Sequence, residues 1–147
     1  KPYNFLTQPF AAKMVIILAL LWRCTGYNMV FFLSGLQNIE YSVYEAAKID
    51  GASAIQTFFK ITVPLLKPTI LLTAIMSTNG TLQLFDESIN LTDGGPANAS
   101  ISMSHYIYNL CFKYVPNFGY AAAMSFFILL LVAVLAFIQM RVGDKRD

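Results

Sequence analysis

Residues 121–140, AAAMSFFILLLVAVLAFIQM, run for twenty positions without a charge, and Ser125 and Gln139 are their only strongly polar members. A helix needs about 20 predominantly apolar residues to cross the hydrocarbon of a bilayer, so this run fixes the solvent in which the chain folds. No charge occurs between Arg23 and Glu40, between Lys67 and Asp86, or between Lys113 and Arg141. Charged residues make up 12% of the chain, about half the share that soluble domains carry. The pattern predicts an all-α, polytopic membrane helical bundle with three transmembrane helices, over 13–36, 64–88 and 119–141. Pro64 and Pro68 fall in the first turns of the second span, where a missing N–H is tolerated and Pro68 can add a bend.

Basic residues in the short connections set the expected orientation. The 37–63 segment carries Lys48 and Lys60, with Lys67 at its edge, and the 142–147 tail with its flank carries Arg141, Lys145 and Arg146. The 89–118 connection has only Lys113, close to the acidic Asp86, Glu87 and Asp93. The 37–63 insert and the tail are therefore expected in the cytoplasm and 89–118 outside, with Lys1 and Lys13 counting mildly against it. The outer connection opens on the turn-forming run Thr92–Pro96. It continues with Met103, Ile107, Leu110, Cys111 and Tyr114 at helical spacing, which suits a short interfacial helix.

Several function classes drop out. The formal net charge of +2 is too small to point to nucleic acid. Cys24 and Cys111 make no disulfide framework, and with a single histidine, His105, there is no zinc-ligand spacing. The chain opens on Lys1 without a signal-peptide pattern, so a piece of a longer protein is expected.

The 37–63 insert is the unusual stretch. Ser42-Val-Tyr-Glu45 and Ser53-Ala-Ile-Gln56 both have the form of a capping box, and Asp50-Gly51 between them suits a helix stop and turn. Val43, Ala46, Ala47 and Gly51 fall on one side of the first helix and leave a smooth face, while the second helix offers Ile55, Phe58 and Phe59. A small-residue helix face suits docking into a partner's groove. The same features also fit a plain cap, good helix formers and aromatics lying at the bilayer interface, and from the residues alone the two readings are balanced.

Glu45-Ala46-Ala47, Gly51 and the Ile61-Thr-Val-Pro-Leu-Leu66 run resemble the cytoplasmic loop of binding-protein-dependent ABC importer permeases, in particular the sugar permeases of the maltose and glycerol-phosphate type. The resemblance extends through Trp22, Gly26–Met29, Phe32–Gln37, Phe85–Glu87, Thr92–Pro96, Tyr106–Tyr108 and Gly119–Ser125. It departs at Glu40, where members usually have proline. The resemblance implies the C-terminal half of a six-span, non-catalytic permease subunit in a bacterial inner membrane. It implies that Glu45 meets a basic residue of a cytoplasmic ATP-binding subunit, that Ala46 and Ala47 permit close seating, and that Gly51 provides the turn. It further implies a second permease subunit, an extracytoplasmic sugar-binding protein, a carbohydrate substrate, and ATP and Mg bound by the partner ATPase rather than by this chain. In keeping with that, the sequence contains no G-x-x-x-x-G-K-[ST] run.

A sugar path needs hydrogen-bonding side chains within the spans. The candidates are Arg23 and Asn28 on the first span and Asn79 and Gln83 on the second, with Thr81 between them. Arg23 lies about 15 Å along the helix from Lys13, near mid-bilayer, and must face a partner or water. Its partner is expected in a part of the protein beyond this chain, and structural hydrogen bonding is weighed ahead of sugar contact for each of these residues taken singly. Asp86 and Glu87 are expected merely to end the second span. Two rivals remain: a membrane scaffold whose insert binds a non-ATPase partner, and an ion-driven carrier. The carrier would need carboxylates inside the spans, and 13–36 and 68–85 have none.

Overall fold

The computed structural model describes residues 5–143, and every regular element among them is helical. The charges of Lys1, Lys145 and Arg146 used above for orientation lie outside the described residues. Among the described residues, two single helices are long and apolar enough to cross a membrane: α1, Pro9–Gln37, and α7, Phe118–Gly143. Pro9 starts α1 where the first N–H has no intrahelical partner in any case, so the helix begins four residues before the expected 13. α7 lies within two residues of the expected span at each end.

The middle span departs from expectation. Instead of one helix over 64–88, it is a bent pair, Ala54–Leu65 and Lys67–Leu82, whose axes turn by 63° at Leu66. The first arm consists of α3, Ala54–Thr57, a π-helical turn Phe58–Thr62, and α4, Val63–Leu65. The second is α5, Lys67–Leu82. Pro64 has no N–H to donate and its ring opposes the carbonyl four residues back, so the widened turn just before it gives the chain room. Pro68 likewise cannot donate to the Pro64 carbonyl and its ring opposes that carbonyl, and the bend is taken up between the two, at Leu66. Pro64 thus ends the insert's helix rather than starting the span.

α5 also stops early. Its last turns hold Ser77, Thr78, Asn79 and Thr81, and the hydroxyls of Thr78 and Thr81 bond to the carbonyls of Ala74 and Ser77, four residues back. Such side chains compete with the helix ladder. Residues 83–85 leave the helix, and helical geometry resumes at 86–87 and passes into a π-helical turn at Ser88–Thr92.

α5 packs against both α1 and α7. Glycines set the close approaches. A Cβ on Gly35 of α1 would stand 2.8 Å from Thr69 Oγ1 and 2.9 Å from Leu66 Cδ2, so the helices cross there backbone to side chain. A Cβ on Gly143 would lie 2.7 Å from both methyls of Leu71. Outside these crossings, α1 and α7 turn large apolar side chains outward, among them Trp22, Leu33, Phe126 and Phe137. A continuous apolar surface of this kind is suited to lipid and to further helices, not to water.

Replacing Gly35 with Val forces the crossing apart. Overpacking of this type costs about 1–3 kcal/mol, and the expected result is a clear drop in the thermal unfolding temperature of the intact assembly in detergent. Gly26, whose Cβ position is open for 4 Å, is the control: Gly26→Ala leaves that temperature unchanged or raises it.

Candidate functional site

Three groups of residues stand out: the 38–66 insert, a cavity between α1 and α5, and a buried polar knot in the 83–117 connection.

The insert opens with α2, Tyr41–Ile49. The capping box expected at Ser42 and Glu45 does not form. Glu40 is the N-cap, so Ser42 already lies inside the helix and its hydroxyl donates to Glu40 Oε2 at 3.2 Å. The second box does form: Ser53 Oγ accepts from the Gln56 N–H at 3.3 Å and Gln56 Oε1 from the Ser53 N–H at 2.8 Å. Between the two, Gly51 takes φ +74. The Ala52 N–H reaches the Ala47 carbonyl at 3.0 Å and the Gly51 N–H reaches that of Lys48 at 3.2 Å, the paired bonds of a Schellman stop.

Ala46 and Ala47 do not share one smooth face. Ala47 is buried, on the side where the Tyr44 hydroxyl lies 3.2 Å from Thr62 Oγ1, so its smallness serves the seating of α2 on the insert's own second arm. Glu45, Ala46 and Gly51 remain exposed. So do Ile49, Ile55, Phe58 and Phe59, with the two phenylalanine rings edge to face at 5.1 Å. The insert is a rigid knob with an apolar, partly charged outer surface.

The cavity between α1 and α5 holds about 260 Å³ and is lined by Arg23, Cys24, Tyr27, Met76, Ser77 and Gly80. Arg23 finds its partner within this chain, against expectation: its Nε lies 3.1 Å from Glu87 Oε1. Glu87 is not a solvated helix end. Its side chain is 11% exposed, and the Ser88–Thr92 turn that follows it packs against α1. Asp86, beside it, is exposed as expected. Asn28 reaches the same cavity indirectly, through a 3.3 Å hydrogen bond from its Nδ2 to Ser77 Oγ. Asn79 and Gln83 are not part of it. They are exposed and bond to each other, Gln83 Nε2 to Asn79 Oδ1 at 2.8 Å, and Gln83 lines a separate hollow with Ile107 and Ile128. Of the four path candidates, Arg23 and Asn28 come together, and sequence reasoning missed Glu87 and Ser77. Glu87 had a signal: a lone arginine near mid-bilayer needs a counter-charge, and the nearest carboxylates along the packed elements are Asp86 and Glu87.

The third group was not expected. In α6, Met103–Tyr108, and the π turn Asn109–Lys113, the buried positions are the polar His105 and Asn109, while Met103 and Tyr114 face out and Ile107, Leu110 and Cys111 are half-buried. His105 and Ser88 are completely buried. Ser88 Oγ donates to the Ser100 carbonyl at 2.9 Å, accepts from the Ser102 N–H at 3.2 Å, and lies 2.9 Å from His105 Nδ1. With its proton committed to Ser100, Ser88 accepts from an Nδ1–H of the imidazole. Asp93 stands 3.7 Å from His105 Nε2 and pairs with Lys113 at 3.0 Å. Asp93, Ala97 and Asn98 all take positive φ, so the knot holds a strained turn.

Desolvation holds the His105 pKa below its usual 6.5; the Asp93 carboxylate opposes this and the Lys113 ammonium adds to it. A histidine kept neutral in the folded state contributes its full stability above the unfolded pKa and loses it as pH falls below that value. Amide exchange over residues 88–113, corrected for intrinsic rates, is therefore expected to be slow above pH 6.5 and faster as pH drops below it. His105→Phe should remove that pH dependence.

These features together define a helical membrane subunit with a projecting knob and a polar seam between its spans. The chain belongs to the family of binding-protein-dependent transport system inner membrane components, whose model matches residues 4–146. It is 55% identical over 99% of its length to the lactose transport system permease protein LacF of Rhizobium radiobacter, and covers 50% of that protein. To the trehalose/maltose transport system permease protein MalF of Thermococcus litoralis it is 37% identical, covering 99% of this chain and 48% of that one. It also superimposes on a chain in the crystal structure of a bacterial ABC transporter that imports the acidic polysaccharide alginate. That match has a TM-score of 0.80 at 26% identity, over 97% of this chain and 50% of the other. The chain spans about half the length of these curated relatives.

Proposed function

We propose that this chain forms part of the permease of an ATP-driven carbohydrate importer. In this reading the insert, 38–66, stands in the cytosol and seats in a cleft of a separate ATP-binding subunit. Glu45 meets a basic residue there, Ala46 allows close approach, and Gly51 fixes the turn that presents them. A second permease subunit completes the bundle, and an extracytoplasmic sugar-binding protein delivers the solute. ATP and Mg are held by the ATPase.

The observation that carries this reading is the build of the insert. A Schellman stop, a formed capping box and the buried Ala47 make α2 and the second arm one stiff unit, yet that unit exposes Ile49, Ile55 and Phe59. Such a surface calls for a cover. The unit continues through the 63° bend into α5, one wall of the Arg23 cavity. A partner that moves the knob therefore moves the wall of the cavity, as alternating access requires. The names of the relatives add the chemistry, since lactose and trehalose/maltose permeases are among them. The alginate importer shows that solutes of the fold's users include acids, so charge preference must come from residues particular to each permease.

In the intact importer, Glu45→Lys should leave membrane insertion normal and still lower saccharide uptake and solute-stimulated ATP hydrolysis, each by about tenfold, the scale of a lost charged contact. Purification of the wild-type chain should bring a P-loop ATPase with it. Normal coupling in the variant would overturn the Glu45 contact, and a partner without ATPase activity would favour a scaffold instead.

A further inference from the structure

We propose that Glu87 sets the charge selectivity of the α1–α5 cavity: it cancels the charge of Arg23 and so fits the path to an uncharged polyhydroxylated solute. The inference rests on the importer reading and adds the substrate's charge class to it. Arg23 is the only charged residue among those lining the cavity, and its side chain is 49% exposed. Left alone, a guanidinium in a low-dielectric cleft concentrates anions. Glu87 prevents this from outside the lining. One carboxylate oxygen meets Arg23 Nε at 3.1 Å, and the other is buried without a hydrogen-bond partner. That second oxygen is closed to a solute, so Glu87 acts through Arg23 and not by contact. It is a positioning and compensating residue. The terminal N–H groups of Arg23 make no hydrogen bond among the described residues, and they remain as donors for hydroxyl oxygens once the net charge is gone. Beside them, Ser77 is tied to Asn28 and Tyr27 to the Met76 sulfur, which leaves the remaining lining neutral.

Cys24 lines the same cavity and is a free thiol, so it reports the local potential directly. The test uses the intact importer in proteoliposomes, with Cys111→Ser. Modification of Cys24 is followed by peptide mass spectrometry, with an anionic methanethiosulfonate (ethylsulfonate) and a cationic one (ethyltrimethylammonium). The wild-type ratio of anionic to cationic rate should lie near that of a free small thiol. Glu87→Gln should raise the ratio by at least about tenfold, the size of enhancement expected from one uncompensated charge in a cleft. Glu87→Asp should hold it near wild type, and the doubly neutral Arg23→Gln, Glu87→Gln variant should restore it, which separates charge from misfolding. In parallel, lactobionate, an anion of lactose's size, should inhibit labelled-lactose uptake by Glu87→Gln and not by wild type. An unchanged ratio in Glu87→Gln overturns the proposal, as does a Cys24 that neither reagent reaches in any variant. A Glu87→Gln importer that carries lactose and ignores lactobionate overturns it too. A wild-type complex that takes up no saccharide would sink the importer reading, while the thiol ratio would still decide whether Glu87 compensates Arg23.

Discussion

Two prolines four residues apart decide how this chain is divided between membrane and knob. Pro64 withdraws an N–H from the ladder, and the turn before it widens into π geometry. Pro68 then withdraws a second N–H and sets its ring against the Pro64 carbonyl, and the 63° turn falls at Leu66 between them. Without that break the insert's second arm and α5 would form one long rod, and the knob would lie along the bundle axis. With it, the knob stands at an angle to the spans and its outer surface is free of them. The helix crossing at Gly35 depends on the same corner, because Leu66 and Thr69 are the residues against which Gly35 closes.

The interior polar chemistry follows from a different pressure. In a span, a charge or amide must find its complement nearby or become expensive. Arg23 is matched by Glu87, Asn28 by Ser77, and Gln139 of α7 by Thr78 of α5 at 2.8 Å. Each pair ties a neighbouring helix to α5 or to the segment just after it. In the 83–117 connection the same rule produces the Ser88–His105–Asp93 knot, where burial of a histidine is offset by a saturated serine hydroxyl. Despite its residue types, that constellation is not set up for nucleophilic chemistry: Ser88 has no exposed surface and its proton is committed to a carbonyl.

The spans of α1 and α7 were legible because long apolar runs, unbroken by charge over residues 121–140 of α7 and broken after Lys13 only by Arg23 in α1, leave a helix across the bilayer as the economical arrangement. Gly51 was legible for a similar reason: Asp-Gly after an alanine helix has few backbone options. The second capping box could be read, but the first could not, since Ser42 can cap only if the helix starts after it and Glu40 started it earlier. The sequence order also hid pairings across long separations. Glu87 looked like a helix end because the second span was expected to run through residue 88, whereas α5 ends at Leu82 and the segment after it packs against α1. His105 was weighed only as a metal ligand, and nothing in a one-dimensional pattern distinguishes a buried histidine from an exposed one when its partners lie 17 residues away.

The position of Gly35 has a mechanical corollary. It lies on α1 directly against the corner between the knob and α5, and there is no spare space at that contact. A hinge pinched in this way cannot fold and unfold by itself. Twist applied at the knob must be shared with the first span at once, so the unit that rotates is a three-armed bracket and not a single swinging helix.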